Sequence, residues 1–167
     1  MNATQTAVTT KVYRVYIKAT PQAIWDAITK PEWTRRYGYR GIIDYEELRP
    51  GATYRILASE EFRAAGLPEV VVDGEIVEAD PPRRLVQTWH ALWDENVRSE
   101  PPTRVTFDIE EDDGGLTRLT VTHELDGAPH HAAQVSSTAR ITEGGGGWTL
   151  TLSDLKTLLE TGTSFGG

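Results

Sequence analysis

The last stretch of the chain constrains the fold most. Four consecutive glycines, Gly144 to Gly147, cannot hold a regular element, because glycine loses more backbone freedom on ordering than any other residue. From Trp148 to Glu160 the pattern turns helical. Trp148, Leu152, Leu155 and Leu159 recur on one face with Leu158 beside them, while Ser153, Asp154, Lys156, Thr157 and Glu160 fall on the other. Gly162 stands where a left-handed C-terminal cap would sit. A one-sided helix on a glycine strap needs an apolar surface to cover, and the residues upstream must supply it.

That surface reads as a sheet. Residues 12–18 are rich in β-branched and aromatic side chains and form a first strand. Thr20 as N-cap and Pro21 at the first helical position open a helix with Ile24 and Ile28 on one face beside Trp25. Pro31 opens a second, short helix in which Trp33 and Tyr37 lie one above the other, and Gly38 ends it. Strands follow over residues 41–48, 52–58, 70–79, 84–93, 102–111 and 116–125, the last two closing a hairpin around 112–115. In that hairpin Val105, Phe107 and Ile109 point one way with Leu119, Val121, His123 and Leu125 on the partner strand. Thr106, Asp108, Glu110, Arg118, Thr120, Thr122 and Glu124 point the other, so one face is covered and one is wet. On 52–58, Tyr54 and Ile56 share a face opposite Arg55. On 84–93, Trp89 and Trp93 share a side with Leu85, Gln87 and Ala91, opposite Val86, Thr88, His90 and Leu92. Which of these faces is inside stays open, because alternation does not decide it. Residues 59–67 form a connection, and 126–147 a long loop with a helical turn around 132–135. The layout is α+β: one domain over residues 11–162, with a disordered leader (1–10) and tail (163–167).

The chain has 167 residues, enough for a real core, and no cysteine, so neither a disulfide framework nor a thiol nucleophile enters. Asp and Glu number 25 against 17 Lys plus Arg, a net charge of −8 that repels phosphate backbones, so nucleic acid is not an expected partner. No stretch is apolar for the length of a membrane span and no signal pattern opens the chain, so a cytoplasmic protein is expected. His130 and His131 are adjacent and point apart in an extended chain, and no second cluster of ligands lies at metal spacing, so no metal is expected. Ser136 and Ser137 lack a nucleophile elbow. The glycine run follows a loop rather than a strand, outside any phosphate-binding context. No cofactor is indicated.

The residues also carry a resemblance. Ala19-Thr20-Pro21 through Ile24-Trp25-Asp26-Ala27-Ile28, followed by Pro31-Glu32, resembles the opening of the START/polyketide-cyclase/birch-pollen-allergen-like (SRPBCC) superfamily. The run from Gly74 to Val86 with Trp89 resembles the middle signature of one branch, that of the activator of the heat-shock-protein-ninety ATPase. The segment from Leu119 to Glu124 and the Gly147-Trp148 start of the last helix fit as well. The resemblance covers residues 12–160. It implies the helix-grip fold, a curved antiparallel sheet of six or seven strands wrapped around a long C-terminal helix, with two short helices after strand one. It further implies a cavity between sheet and helix for a lipid, sterol, polyketide or other hydrophobic molecule. Members of the superfamily bind such ligands, and some cyclise or hydrolyse them.

Under that implication the ligand-binding set is Trp33, Tyr37, Tyr54, Ile56, Trp89, Phe107, Val121, His123, Trp148, Thr151, Leu152 and Leu155. Large rings with a polar tip suit a cavity wall or a core equally. His123, on the covered face, is the one candidate for acid–base work; a core histidine satisfied by a backbone carbonyl is the simpler reading and is preferred. Arg14, Arg40, Arg55 and Arg104 are candidates to meet a carboxylate or enolate at the cavity, or are simply solvated. A binding protein is the first expectation. A cyclase/aromatase, a sequestering self-resistance protein and a co-chaperone-like interaction module remain the alternatives. The glycine strap is expected to act as a hinge at the cavity mouth.

Overall fold

The computed structural model describes residues 9–143 and 145–166. Strand β1 (Thr10–Ile17) leads into α1 (Pro21–Thr29), where the Thr20 hydroxyl accepts the Ala23 amide at 3.1 Å as an N-cap should. After α2 (Pro31–Thr34) come β2 (Ile42–Tyr45), β3 (Thr53–Leu57), β4 (Val70–Asp80) and β5 (Arg84–Ala91). The strands β6 (Thr103–Glu111) and β7 (Thr117–Glu124) then close the hairpin. All seven strands form one antiparallel sheet in the order β1-β7-β6-β5-β4-β3-β2. Register shifts at Ile56/Leu57 and at Ile76/Glu78 interrupt the ladders, and such irregularities bend and twist a sheet. The C-terminal helix, α6 (Gly147–Thr161), packs chiefly along β1, with α1 beside it. No helix among the described residues is long and apolar enough to cross a membrane. The molecule is thus an α+β helix-grip fold.

The helix ends as its sequence dictates: Gly162 adopts φ 83° and returns its amide to the Leu158 carbonyl. Leu152, Leu155 and Leu158 are buried against Ile17, Ile24, Ile28 and the inner face of β6 and β7. One residue departs from expectation. Asp154, placed by periodicity on the outward face, is 3 % exposed. Its carboxylate accepts the amides of Gly38 at 2.9 Å and Phe165 at 2.7 Å, so the α2–β2 loop and the chain end are both tied to the helix. Ser164 is buried, and the Phe165 bond turns residues 163–166 back on α6.

The hairpin faces fall as read, with Val105 opposite His123 and Phe107 opposite Val121 on the covered side. Thr106 and Thr120 on the other side are buried too, and Arg14 lies over the sheet there, donating to the Thr120 hydroxyl at 3.0 Å. The two open faces are also settled. Tyr54, Ile56, Leu85, Gln87 and Trp89 point to the helix side, because β3 pairs with the buried Val72 of β4 and β5 with Val105 and Phe107. Gly74 is required at its position: a Cβ there would run into the Thr88 carbonyl oxygen, the same atom that accepts the Tyr54 hydroxyl.

Three helices lie in stretches read as connection or loop. The segment 59–67 holds α3 (Glu60–Ala64), capped by Ser59. Beyond β5, which stops at Ala91 rather than Trp93, Asp94 caps α4 (Glu95–Arg98). In the long loop, α5 (Pro129–Val135) starts three residues earlier than the turn expected at 132. Its first amides, of His130 and His131, are accepted by the Glu100 carboxylate at 2.6 and 2.9 Å.

Candidate functional site

The centre of the inner face is His123, wholly buried on β7. Its Nδ1 accepts the Trp148 indole N–H at 3.1 Å, and its Nε2 lies 2.8 Å from the Thr103 hydroxyl. That hydroxyl donates onward to the Trp89 carbonyl at 2.8 Å, so it can only accept from the ring, which assigns the proton to Nε2. Both ring nitrogens are therefore used within the chain. Burial, and then the neighbouring His131 ring at 4.9 Å between centroids, hold the imidazole down at about 3, neutral at any physiological pH. His131 on α5 is itself held down to about 4, mainly by burial, and meets the edge of Trp93 at 5.4 Å. His123 is a satisfied core histidine, but its partners are an indole and a hydroxyl rather than a backbone carbonyl.

Around it stands an aromatic wall. Trp148 lies 5.3 Å from Trp89 and 5.9 Å from Phe107, in tilted and edge-on contacts. Val121, Leu152 and Leu155 are sealed beneath. The other expected ligand residues divide. Tyr37 is buried and donates to the Ala27 carbonyl at 2.8 Å; Thr151 packs on Gly38; Trp33 is half-buried under the Arg36 guanidinium, 4.9 Å above its ring. Tyr54 and Ile56 belong to a second, smaller cluster with Ile43 and Val72, and the half-buried Tyr45 and Trp89 join the two clusters. Burial raises the hydroxyls of Tyr37, Tyr45 and Tyr54 above the ordinary phenol value, so all three stay protonated donors.

No arginine proposed for the cavity reaches it. Arg14 and Arg104 are exposed on the outer face, Arg55 pairs there with Asp44 at 3.0 Å, and Arg40 turns to the chain end, near Ser164. Two clefts of about 660 and 890 Å³ indent that outer face, each lined in part by such charges, and neither lies between sheet and helix. The strap is held more closely than a free hinge. Gly144 lies outside the described residues, but the Tyr39 hydroxyl donates to the Gly145 carbonyl and accepts the Gly147 amide, both at 2.8 Å. A Cβ at Gly145 would run into the Ala139 carbonyl oxygen.

One residue the sequence did not single out is Gln87, 1 % exposed on the inner face and bonded to the Tyr45 hydroxyl at 2.9 Å. Its signal was present: a polar side chain at the same register parity as Leu85 and Trp89.

Known proteins share this architecture. CalU16 from Micromonospora echinospora is 21 % identical over 92 % of this chain and 77 % of its own, with a TM-score of 0.58. PFC0360w, an HSP90 activator from Plasmodium falciparum, is 16 % identical over 91 % and 96 %, with a TM-score of 0.61. DynU16, from the dynemicin biosynthetic locus, is 20 % identical over 93 % of this chain and 49 % of its own, with a TM-score of 0.64. At these identities the likeness is one of fold. No curated protein matches the sequence. The family described as Activator of Hsp90 ATPase homolog 1-like protein matches residues 18–160, and with the sheet, the gripped helix and the opening motif in agreement, the chain belongs to that family.

Proposed function

We propose that this domain binds a small hydrophobic or aromatic molecule between the inner face of the sheet and the N-terminal half of α6. One observation carries the reading. Trp89, Trp148 and Tyr45 point inward yet remain only half-buried, where the sealed core gives way to the β2–β4 wing. Large rings bury roughly 150–250 Å² each when fully covered, so rings left half-covered on a concave face are a wall awaiting a partner. The relatives' descriptions point two ways, PFC0360w being an HSP90 activator and DynU16 coming from a biosynthetic locus. The inward aromatic wall favours the small molecule. Sequestering a natural product would be the same binding event in another setting.

A cyclase or aromatase would need an acid–base group at the ligand. His123 is poorly suited, since both nitrogens are occupied and its proton affinity is low. Binding without turnover is the better fit. The test is residue-resolved NMR during titration with a fatty acid, a sterol and an aromatic polyketide. Saturable shifts should cluster at Trp148, Trp89, Tyr45 and Leu152. Shifts confined to the outer face of the β6–β7 hairpin would sink the reading.

A further inference from the structure

The inner face carries one buried polar pair whose hydrogen-bonding capacity the chain does not use up. Gln87 sits on β5 between Leu85 and Trp89, opposite Ile76 and Val105. The Tyr45 hydroxyl bonds its Oε1 at 2.9 Å, and neither side chain makes another hydrogen bond among the described residues. A glutamine amide and a phenol offer three donors, and their mutual bond uses one, whichever way the amide is turned. Two donors remain on the pair, both of them on the 1 % exposed Gln87 when its oxygen accepts from Tyr45. Buried donors nearly always have a partner, because leaving one unmade forfeits its full solvation. The side-chain atoms sealed without any partner are Arg118 Nε and Ser136 Oγ among the described residues. Gln87 Nε2 is not one of them, so a trace of open space remains beside it. That space borders the aromatic wall: Trp89 follows on the same face, 5.3 Å from Trp148, and Tyr45 lies 5.5 Å from Tyr54.

We infer that Gln87, oriented by Tyr45, is the specificity-determining residue of the pocket, and that the ligand is a flat apolar molecule bearing a neutral carbonyl oxygen, a ketone or quinone, that accepts the Gln87 amide. The inference rests on the small-molecule reading above and narrows it. A bare hydrocarbon would cover the rings but leave the donors unpaired, and sites with buried polar groups discriminate strongly against ligands that cannot pair them. A carboxylate is disfavoured because the donors are neutral and Arg14, Arg55 and Arg104 lie on the opposite face of the sheet.

Fluorene and 9-fluorenone, flat tricycles that differ by one carbonyl, are the probes, titrated into the full chain with tryptophan fluorescence and side-chain amide NMR as readouts. Wild type is expected to hold fluorenone about tenfold more tightly than fluorene. Hydrophobicity alone predicts the opposite order, since the carbonyl makes fluorenone the more water-soluble probe. Fluorenone should also move the Gln87 amide resonances, where fluorene should not. In Gln87→Met, which keeps the side chain's length, the preference should fall to about unity while fluorene binding is kept. Equal affinities in wild type, or a preference that survives in a folded Gln87→Met, overturns the assignment and leaves the pocket standing. Failure of both probes to bind overturns the pocket and the assignment together. If Gln87→Met does not fold, the wild-type spectra decide: equal shifts of the Gln87 amide with both probes overturn the assignment.

Discussion

The two halves of the sheet are finished differently. Under α6 and α1, the strands β1, β7 and β6 present Ile17, Val105, Ile109, Leu119 and Val121 to Leu152, Leu155 and Leu158, all of them nearly or fully sealed. In the wing made by β2, β3 and β4, Ile76 reaches the main core, while Ile43, Tyr54 and Val72 form a separate small cluster with Tyr45, Ile56, Trp89 and Trp93 half-covered around it. The first half is where burial stabilises the domain; the second keeps apolar surface unspent. Stability and ligand binding should therefore respond to different residues. Leu155→Ala ought to cost about 2–5 kcal/mol, because the cavity it leaves lies in a packed core that relaxes little. Ile56→Ala, which never left water completely, should cost roughly 1 kcal/mol and weaken ligand binding instead. Denaturant melts and the titrations above, run on both variants, would break the comparison if the order of the two stability losses were reversed.

The histidines sharpen the same contrast through pH. His123 is held at about 3 and His131 at about 4, both mainly by burial, against an ordinary value near 6.5 in the unfolded chain. The unfolded state thus takes up protons the native state refuses. Stability is full above about pH 6.5 and falls as pH drops below it, down to the folded-state values. At pH 5 each histidine should have removed roughly 2 kcal/mol relative to pH 7. Glu100, where burial is outweighed by the amides of His130 and His131, sits below the usual carboxylate range and extends the same trend to lower pH. Chemical denaturation between pH 7 and 5 checks this: His131→Phe should show a clearly shallower loss than wild type, and parallel curves would sink it.

What could be read beforehand follows from where the information lies. The β6–β7 hairpin was legible because two strands repeat with period two around one turn, so a one-residue slip would have turned His123 and Val121 outward together. The terminal helix was legible in its stripe and its Gly162 cap. Strand β5 was not, because Leu85 and Val86 are both buried and alternation carries no sign there. Helix α5 was only half visible. The Glu100 acceptor of its first amides lies some thirty residues back in sequence, as the spacings of 30 and 31 show. Asp154 reads as a solvent-facing helix residue until Gly38, 116 positions away, donates to it. Gln87 was visible in its parity with Leu85 and Trp89, but its unused donors needed the hydrogen-bond count of a folded interior.

The smallest expected effect sits at the seam between the halves. Tyr39 is 40 % exposed, yet its hydroxyl joins the Gly145 carbonyl to the Gly147 amide and so supplies the cap that the glycines at the start of α6 lack. Tyr39→Phe removes both bonds and leaves the ring contact with Phe62 at 6.3 Å in place. Water can replace the lost partners at so exposed a site, so the global loss should be only about 0.5–1.5 kcal/mol. The local consequence should be larger. Amide exchange at Gly147 and the first turn of α6 should quicken several-fold while β6 and β7 keep their protection, and ligand association should speed up as the strap opens more often. If exchange at Gly147 stays as slow as in wild type, the strap is held by its own packing against Ala139, and access to the aromatic wall must come through the wing alone.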